Sequence, residues 1–259
     1  MKQLITLLMF FPLFLPLSAF ANNSFLVAPG IVEFDLKKPI TQSFIVTNDG
    51  DETIRLKITP TYFKIDDRTF SMGKHLSEDT SQIEDLTNSM RVSPKRLSLK
   101  PGQRRDIRVS IRPGKDLGDG DYRSHLLVQM LEVARTITNG VAEGGEGMGM
   151  NINVKMETAI AIYGSKGQGK PSLEFFCQKN PTNDKFAIQI VNPTVWRFDG
   201  QITLTENGKT IFDNRLVSLR GSTKDRLFEH TYNPSADYQV SYNGFKTPDD
   251  KTAAACQAL

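Results

Sequence analysis

Residues 90–128 read MRVSPKRLSLKPGQRRDIRVSIRPGKDLGDGDYRSHLLV, and this stretch decides the fold class of the chain. Two Pro-Gly pairs, Pro101-Gly102 and Pro113-Gly114, are typical of tight turns. From Asp106 to Arg112, charged residues alternate with apolar ones, which is the period of a strand with one buried face. The stretch therefore predicts two or three consecutive strands joined by turns.

The same alternation recurs along the chain. Residues 25–36 predict a first strand that is kinked at Pro29-Gly30 and switches between sheets. No segment predicts a helix of useful length. Further strands are predicted over Thr41–Asn48, Thr53–Phe63, Asn151–Tyr163, Phe186–Val191, Gln201–Glu206 and Tyr238–Tyr242. Short, half-buried strands at short intervals predict an all-β protein built from antiparallel sandwiches.

The first 21 residues predict a secretory signal. Lys2 supplies a positive start, residues 4–17 are mainly apolar, and Ala19-Phe20-Ala21 is a small-x-small cleavage site. A retained N-terminal anchor is the alternative interpretation. We expect an exported protein whose mature chain begins near Asn22.

The remaining 238 residues (259 minus 21) are enough for two domains of ordinary size, roughly 100 to 200 residues each. Glycines crowd residues 164–171, which we interpret as the hinge between them. The predicted N-terminal domain spans 22–163 and the C-terminal domain 172–259. Residues 135–150 are also rich in glycine, and this composition predicts a mobile loop within the first domain.

Charge and cysteine content exclude several classes of function. The net charge is only +3, and the basic residues alternate with strand positions instead of forming one run, which argues against nucleic acid as the main partner. Cys177 and Cys256 are the only cysteines, and an even count in an exported protein favours one disulfide. Two buried free thiols are the alternative. A metal site is disfavoured because the two cysteines lack the paired spacing of zinc ligands.

Catalytic motifs are missing from the sequence. His75, His125 and His230 lie in no Gly-x-Ser-x-Gly or His-Glu-x-x-His pattern, and a disulfide would leave no cysteine as a nucleophile. We therefore expect no enzymatic activity, no cofactor and no small-molecule substrate.

Three segments resemble the periplasmic pilus-assembly chaperones. They are RVSPKRLSLKPGQRRDIRV (residues 91–109), DGDYRSHLLV (residues 119–128) and VNPT (residues 191–194). The resemblance implies two immunoglobulin-like domains and a location in the periplasm. It also implies that the protein binds pilus or fimbrial subunits and delivers them to an outer-membrane usher. The chain would be a divergent member.

In that family, the strand after the longest loop of the first domain donates alternating apolar side chains to a subunit that lacks one strand. The corresponding row here is Ile152, Val154, Met156, Thr158 and Ile160. The first three lie nearest the glycine-rich segment and are the preferred donors, whereas Ile160 is flanked by alanines and is more typical of the protein's own core. By pattern alone, the whole row would simply close that core.

The family also anchors the subunit's terminal carboxylate with an Arg on the first strand and a Lys late on the donor strand. Here residues 24–36 contain no basic residue, and aligning Tyr163 with a family tyrosine places Ile160 at the Lys position. The family's interdomain Arg falls on Gly164. Lys155 and Arg123 are candidate substitutes by charge, and the alternative interpretation, which the sequence favours, is that each is a solvated cation on a strand face.

The alternative function is that of an exported structural subunit or surface adhesin. Such subunits are usually single incomplete domains with a disulfide in that domain. This chain instead has two sandwich-like halves and no cysteine in the first, which favours the chaperone.

Overall fold

The structure, a computed structural model, describes residues 24–63, 83–131, 155–244 and 246–258. These residues form sixteen strands and one short 3₁₀ helix, Thr87–Ser89, with no α-helix. The all-β fold predicted from the sequence is confirmed. The predicted signal, the glycine-rich segment 135–150 and the donor positions Ile152 and Val154 lie outside the described residues.

The first domain is a sandwich of two sheets. In spatial order, one sheet contains β1 (Phe25–Ala28), β3 (Ile40–Asn48), β7 (Arg104–Ile111) and β5 (Met90–Ser93). The other contains β2 (Ile31–Asp35), β9 (Glu157–Lys166), β8 (Gly120–Met130), β4 (Ile54–Thr61) and β6 (Arg96–Leu99). The stretch 90–128 supplies four strands instead of two or three, because the chain crosses between sheets at Pro94-Lys95.

The first predicted strand switches sheets at Pro29-Gly30, as its sequence indicates. β1 pairs antiparallel with β3 in one sheet, whereas β2 pairs parallel with β9 in the other. The parallel pairing begins at Ile31 opposite Ala161 and ends at Asp35 opposite Ser165. The first segment of the chain therefore covers only the second half of β9.

Alternate residues of these strands fill the core between the sheets. Val46, Ile58 and Ile107 are almost fully buried, and Ile160 and Ile162 of β9 join them. Burial of one such side chain is worth roughly 1.5–3 kcal/mol. The interpretation of Ile160 as a core residue is thus supported by its 1% exposure.

The second domain is a sandwich with its own aromatic-rich core around Phe175, Phe186 and Phe198. Its strands are β10 (Glu174–Lys179), β11 (Lys185–Val191), β12 (Phe198–Glu206), β13 (Lys209–Ser218), β14 (Thr223–Thr231), β15 (Tyr238–Gly244) and β16 (Thr247–Ala258). The order is β13-β12-β15-β16-β10-β11-β14. The long strand β16 pairs with β15 along most of its length and with β10 at its end, so it joins both layers.

A disulfide between Cys177 and Cys256 fastens β16 to β10. The two strands run parallel here, and the Cα atoms of the cysteines are 5.5 Å apart, an ordinary separation for a bridge. The predicted pairing is confirmed. The bond holds the last strand, which joins the layers, to the first strand of the domain.

We predict that Cys256→Ser destabilises the second domain by about 4 kcal/mol, because the lost bond links residues 79 positions apart. Urea unfolding of the variant and of the wild type, with and without reductant, measures the difference. Reductant should lower the urea midpoint of the wild type and leave the midpoint of the variant unchanged. Two thiols that react with an alkylating agent in the folded, unreduced wild type would contradict the assignment.

Candidate functional site: an open strand edge and an interdomain cleft

The first half of β9 has an open edge. The amide of Met130 on β8 donates to the carbonyl of Met156, and the amide of Ala161 donates to the carbonyl of Gly30 beside β2. Even-numbered residues of β9 therefore direct their backbone groups to β8 and odd-numbered residues direct theirs to the opposite side. Since β2 begins only at Ile31, the N–H and C=O of Glu157 and Ala159 face no strand among the described residues.

The side chains along this open half divide at Ile160. Thr158 is exposed, and Met156 is half-buried against the core. Ile160 is buried within the protein's own sandwich, so it is not accessible to a partner in this conformation. Of the described members of the predicted donor row, Met156 and Thr158 remain accessible.

The second half of β9 faces a cleft of about 320 Å³ between the domains. Across it, Glu33 of β2 accepts hydrogen bonds from Arg197 (2.7 Å) and Lys246 (2.9 Å) of the second domain. These bonds, that of Lys246 foremost, hold the pKa of the Glu33 carboxyl below its usual value although partial burial opposes them. The Arg197 guanidinium also lies 3.9 Å from the ring centroid of Tyr163, a cation–π contact.

Asp121, at the start of β8, is the second bridge between the domains. Its amide donates to the carbonyl of Val195 (2.9 Å), and its carboxylate accepts from the amide of Arg197 (2.6 Å). Arg220 donates to its carbonyl (3.0 Å). Backbone groups of both domains thus take part, which fixes the position of Asp121 more firmly than side chains alone would.

Two glycines in and before the connection are required by close contacts. A Cβ at Gly164 would lie 2.6 Å from the side chain of the buried Leu36, so any larger residue at this position would require Leu36 to move. A Cβ at Gly169 would lie 2.0 Å from the ring of Trp196. Gly164 belongs to β9, which continues to Lys166, so the connection is shorter at its start than the predicted hinge 164–171.

Neither predicted substitute for the carboxylate anchor lies in this cleft. Lys155 is exposed just before β9, eight residues from Tyr163, or roughly 26 Å along an extended strand. Arg123 is 2% exposed and forms a salt bridge with Glu84 at 2.7 Å. Its charge is already paired inside the first domain, so the geometry favours a structural role.

Sequence reasoning missed the charged residues that do line the cleft. Among the described lining residues, three are acidic and three basic: Glu33, Asp35, Asp121, Lys37, Arg197 and Lys246. The opposite charges balance, so the cleft is not a strongly cationic site. The sequence contains no local pattern that predicts this cleft, because the residues that bridge it come from distant parts of the chain.

Arg123 is the centre of a buried polar cluster. It donates to the carbonyl of Phe63 (3.0 Å), and Tyr62 donates to the same Glu84 oxygen (2.5 Å). Burial, with the bond to Glu84, raises the pKa of the Tyr62 hydroxyl. The ring of His125 lies beside Arg123 (3.4 Å), and its Nδ1 has no hydrogen-bond partner among the described residues. The cluster ties β8 to the end of β4 and to the segment before the 3₁₀ helix.

Within the described ranges, no helix is long and apolar enough to cross a membrane. The same residues contain no group of three or more His, Cys, Asp or Glu side chains arranged to hold a metal ion.

Sequence comparison finds no matching protein family and no matching curated protein. Solved structures of similar fold include the E. coli chaperone DraB, at 14% identity and a TM-score of 0.51, with 92% of this chain and 97% of that chain covered. A complex of the CsuC chaperone with the CsuE tip subunit, from the archaic Csu pili of Acinetobacter baumannii, gives 14% identity and a TM-score of 0.54, with 89% and 98% covered. The Salmonella enterica complex of SafA pilin with the SafB chaperone gives 12% identity and a TM-score of 0.50, with 92% and 98% covered.

The chain therefore has the fold of the pilus-assembly periplasmic chaperones. The resemblance drawn from residues 91–109 and 119–128 is confirmed at the level of the fold. The three solved structures named above are of a chaperone or of a chaperone with a pilus subunit.

The buried cluster makes the stability of the first domain depend on pH. Burial, and next the charge of Arg123, lower the pKa of His125 to about 4 from its ordinary 6.5, with weak opposition from Asp85. The unfolded chain therefore takes up this proton first as the pH falls. Because of this proton, the free energy of unfolding keeps its full value above pH 6.5 and decreases by about 3 kcal/mol as the pH falls to 4.

We predict that His125→Gln removes this part of the pH dependence, because the amide stays neutral throughout. Urea unfolding of both proteins between pH 7 and pH 4, in steps of ~0.5 unit, gives the slope of the unfolding free energy against pH for each protein. Carboxylates titrate in both proteins and cancel in the comparison. Equal slopes in the wild type and the variant would contradict the assigned role of His125.

Proposed function

We propose that the protein is a periplasmic chaperone that binds pilus or fimbrial subunits by donor-strand complementation and delivers them to an outer-membrane usher. The observation that carries the proposal is the uncovered edge of β9 at Glu157 and Ala159. An uncovered edge presents N–H and C=O groups in the spacing that a further strand requires.

The accessible side chains beside this edge support the same proposal. A subunit strand that pairs with Glu157 and Ala159 would lie next to Met156 and Thr158. The row continues in the sequence to Val154 and Ile152, outside the described residues. Each apolar side chain that becomes fully buried contributes roughly 1.5–3 kcal/mol, so two or three of them suffice for tight binding.

The charges in the cleft indicate that anchoring of the subunit's carboxylate there contributes less to binding than the strand edge does. Arg197 and Lys246 already bind Glu33, so a carboxylate from a subunit would compete with a carboxylate that is held in place. We therefore assign most of the binding energy to the strand edge. Ile160, Lys155 and Arg123 are left out of the proposed site because of where they lie.

The alternative, a structural subunit or adhesin, has less support. The first sandwich has nine described strands in two sheets around one continuous core, and β8 and β9 pair along their length. A subunit that waits for a donated strand would have a gap in its core. A fimbrial subunit would also be recovered in surface-attached polymer, whereas a chaperone stays a small soluble species.

We predict that Thr158→Asp abolishes recovery of subunits with the tagged protein from periplasm. The new carboxylate would lie in the groove of the subunit without a partner, at a cost of several kcal/mol. Thr158 is exposed, so the chaperone itself should fold as before. Ala159→Asp is the matched control, since Ala159 is also exposed and lies on the opposite face of the same strand.

Thermal unfolding of each variant separates binding from folding. Normal stability with lost subunit recovery for Thr158→Asp, and retained recovery for Ala159→Asp, is the expected result. Met156→Asp should also lose recovery, with some loss of stability because Met156 packs partly on the core. Undiminished recovery with both Thr158→Asp and Met156→Asp would refute strand donation from this row.

A further inference from the structure

Charge is distributed unevenly along the chain. Residues 91–112 contain eight basic residues and one acidic residue, a net charge of +7. The other residues contain 24 basic and 28 acidic side chains, a net charge of −4. The small net charge of +3 therefore conceals a strongly basic segment in an acidic remainder.

The fold gathers this segment on one side of the first sandwich. β5 is the last strand of one sheet and β6 the last strand of the other, so together they form one lateral edge of the domain. β7 pairs with β5, which places Arg108 opposite Ser93. Within β5 and β7, Arg91, Arg104 and Arg108 alternate with apolar residues and so lie on the outer face of their sheet, whereas Arg105 has the parity of the buried Ile107 and is exposed near the start of β7.

All eight basic side chains are exposed: Arg91, Lys95, Arg96, Lys100, Arg104, Arg105, Arg108 and Arg112. None forms an ion pair with another described residue. Asp106 is the single acidic residue in the segment and is also exposed. We call these eight residues the basic edge; their charges are available to a negatively charged partner.

We propose that the basic edge binds the anionic phospholipid headgroups of a bilayer. Six of the eight residues are arginine, whose planar guanidinium matches phosphate oxygens two at a time. The charges are spread over β5, β6, β7 and the connections beside them, and such an extended distribution complements an extended negative surface better than a compact ligand.

Exposed apolar side chains lie on the same sheet face as part of the basic edge. Ile45 lies directly opposite Asp106 on the neighbouring strand. Thr47 lies opposite both Leu26 and Arg104, so these two residues share its face of the sheet. Leu26 is 58% exposed and Ile45 37%. Apolar residues beside cationic ones are typical of proteins that lie on a membrane surface, where the apolar groups enter the headgroup boundary.

The test uses sedimentation of the mature protein with vesicles of phosphatidylcholine, with or without roughly one-third phosphatidylglycerol. We expect binding only to the anionic vesicles at low salt (about 0.02 M), and loss of that binding at about 0.5 M salt, where screening is strong. Each cation near such a surface contributes about 1 kcal/mol, so the triple variant Arg96→Gln, Arg105→Gln, Arg108→Gln should bind about 100-fold more weakly.

The matched control removes three charges from exposed positions of the second domain, with Lys179→Gln, Lys209→Gln and Lys251→Gln. It should retain most of the binding, and thermal unfolding checks that both variants are folded. Equal binding to both kinds of vesicle, no binding to either, or equal weakening in both variants would overturn the proposal. Retention on heparin or DNA without vesicle binding would assign the basic edge to a linear polyanion and would also overturn it.

Discussion

The parallel pairing of β2 with only the second half of β9 is the constraint on which the other features depend. It fixes Ile160 and Ile162 in the core and places Glu33 at the cleft. The pairing begins only at Ala161, so the backbone groups of Glu157 and Ala159 have no neighbouring strand on that side among the described residues. One strand therefore completes its own sandwich with one half and presents an edge with the other.

The same strand links the proposed binding edge to the interdomain cleft. Tyr163 lies beneath the guanidinium of Arg197, which binds Glu33, and Asp121 receives the backbone amide of Arg197. A partner that pairs with the first half of β9 would thus lie along a strand whose other half is held by both domains. This arrangement reduces the ordering cost of binding, because the strand is already extended and supported.

Much of the fold could be predicted because its signals are local. The switch at Pro29-Gly30 and the strands around residues 106–112 follow from turn residues and period-two alternation. β16 was missed because its sequence, TPDDKTAAACQA, has few β-branched or aromatic residues. The disulfide of Cys256 and pairing on both sides keep this segment in a sheet despite its weak local preference.

The site was less predictable because its contacts join residues that are far apart in the sequence. Lys246 meets Glu33 across 213 positions, and no local pattern marks such a pair. Arg123 was a candidate anchor by charge, but Glu84 and Tyr62 enclose it in a cluster that only the folded chain creates. The basic residues around 91–112 were judged scattered because they alternate with apolar ones, although the fold places β5 and β6 together at one edge of the sandwich and pairs β7 with β5.

The most direct test of the central claim is residue-resolved hydrogen exchange at β9, by NMR, with and without a bound subunit. The amides of Glu157 and Ala159 should exchange rapidly in the free protein and slowly in the complex, because a subunit strand would accept their hydrogen bonds. The amide of Ala161, already bonded to Gly30, should be protected in both states. Unchanged rapid exchange at Glu157 and Ala159 in a stable complex would contradict pairing at this edge.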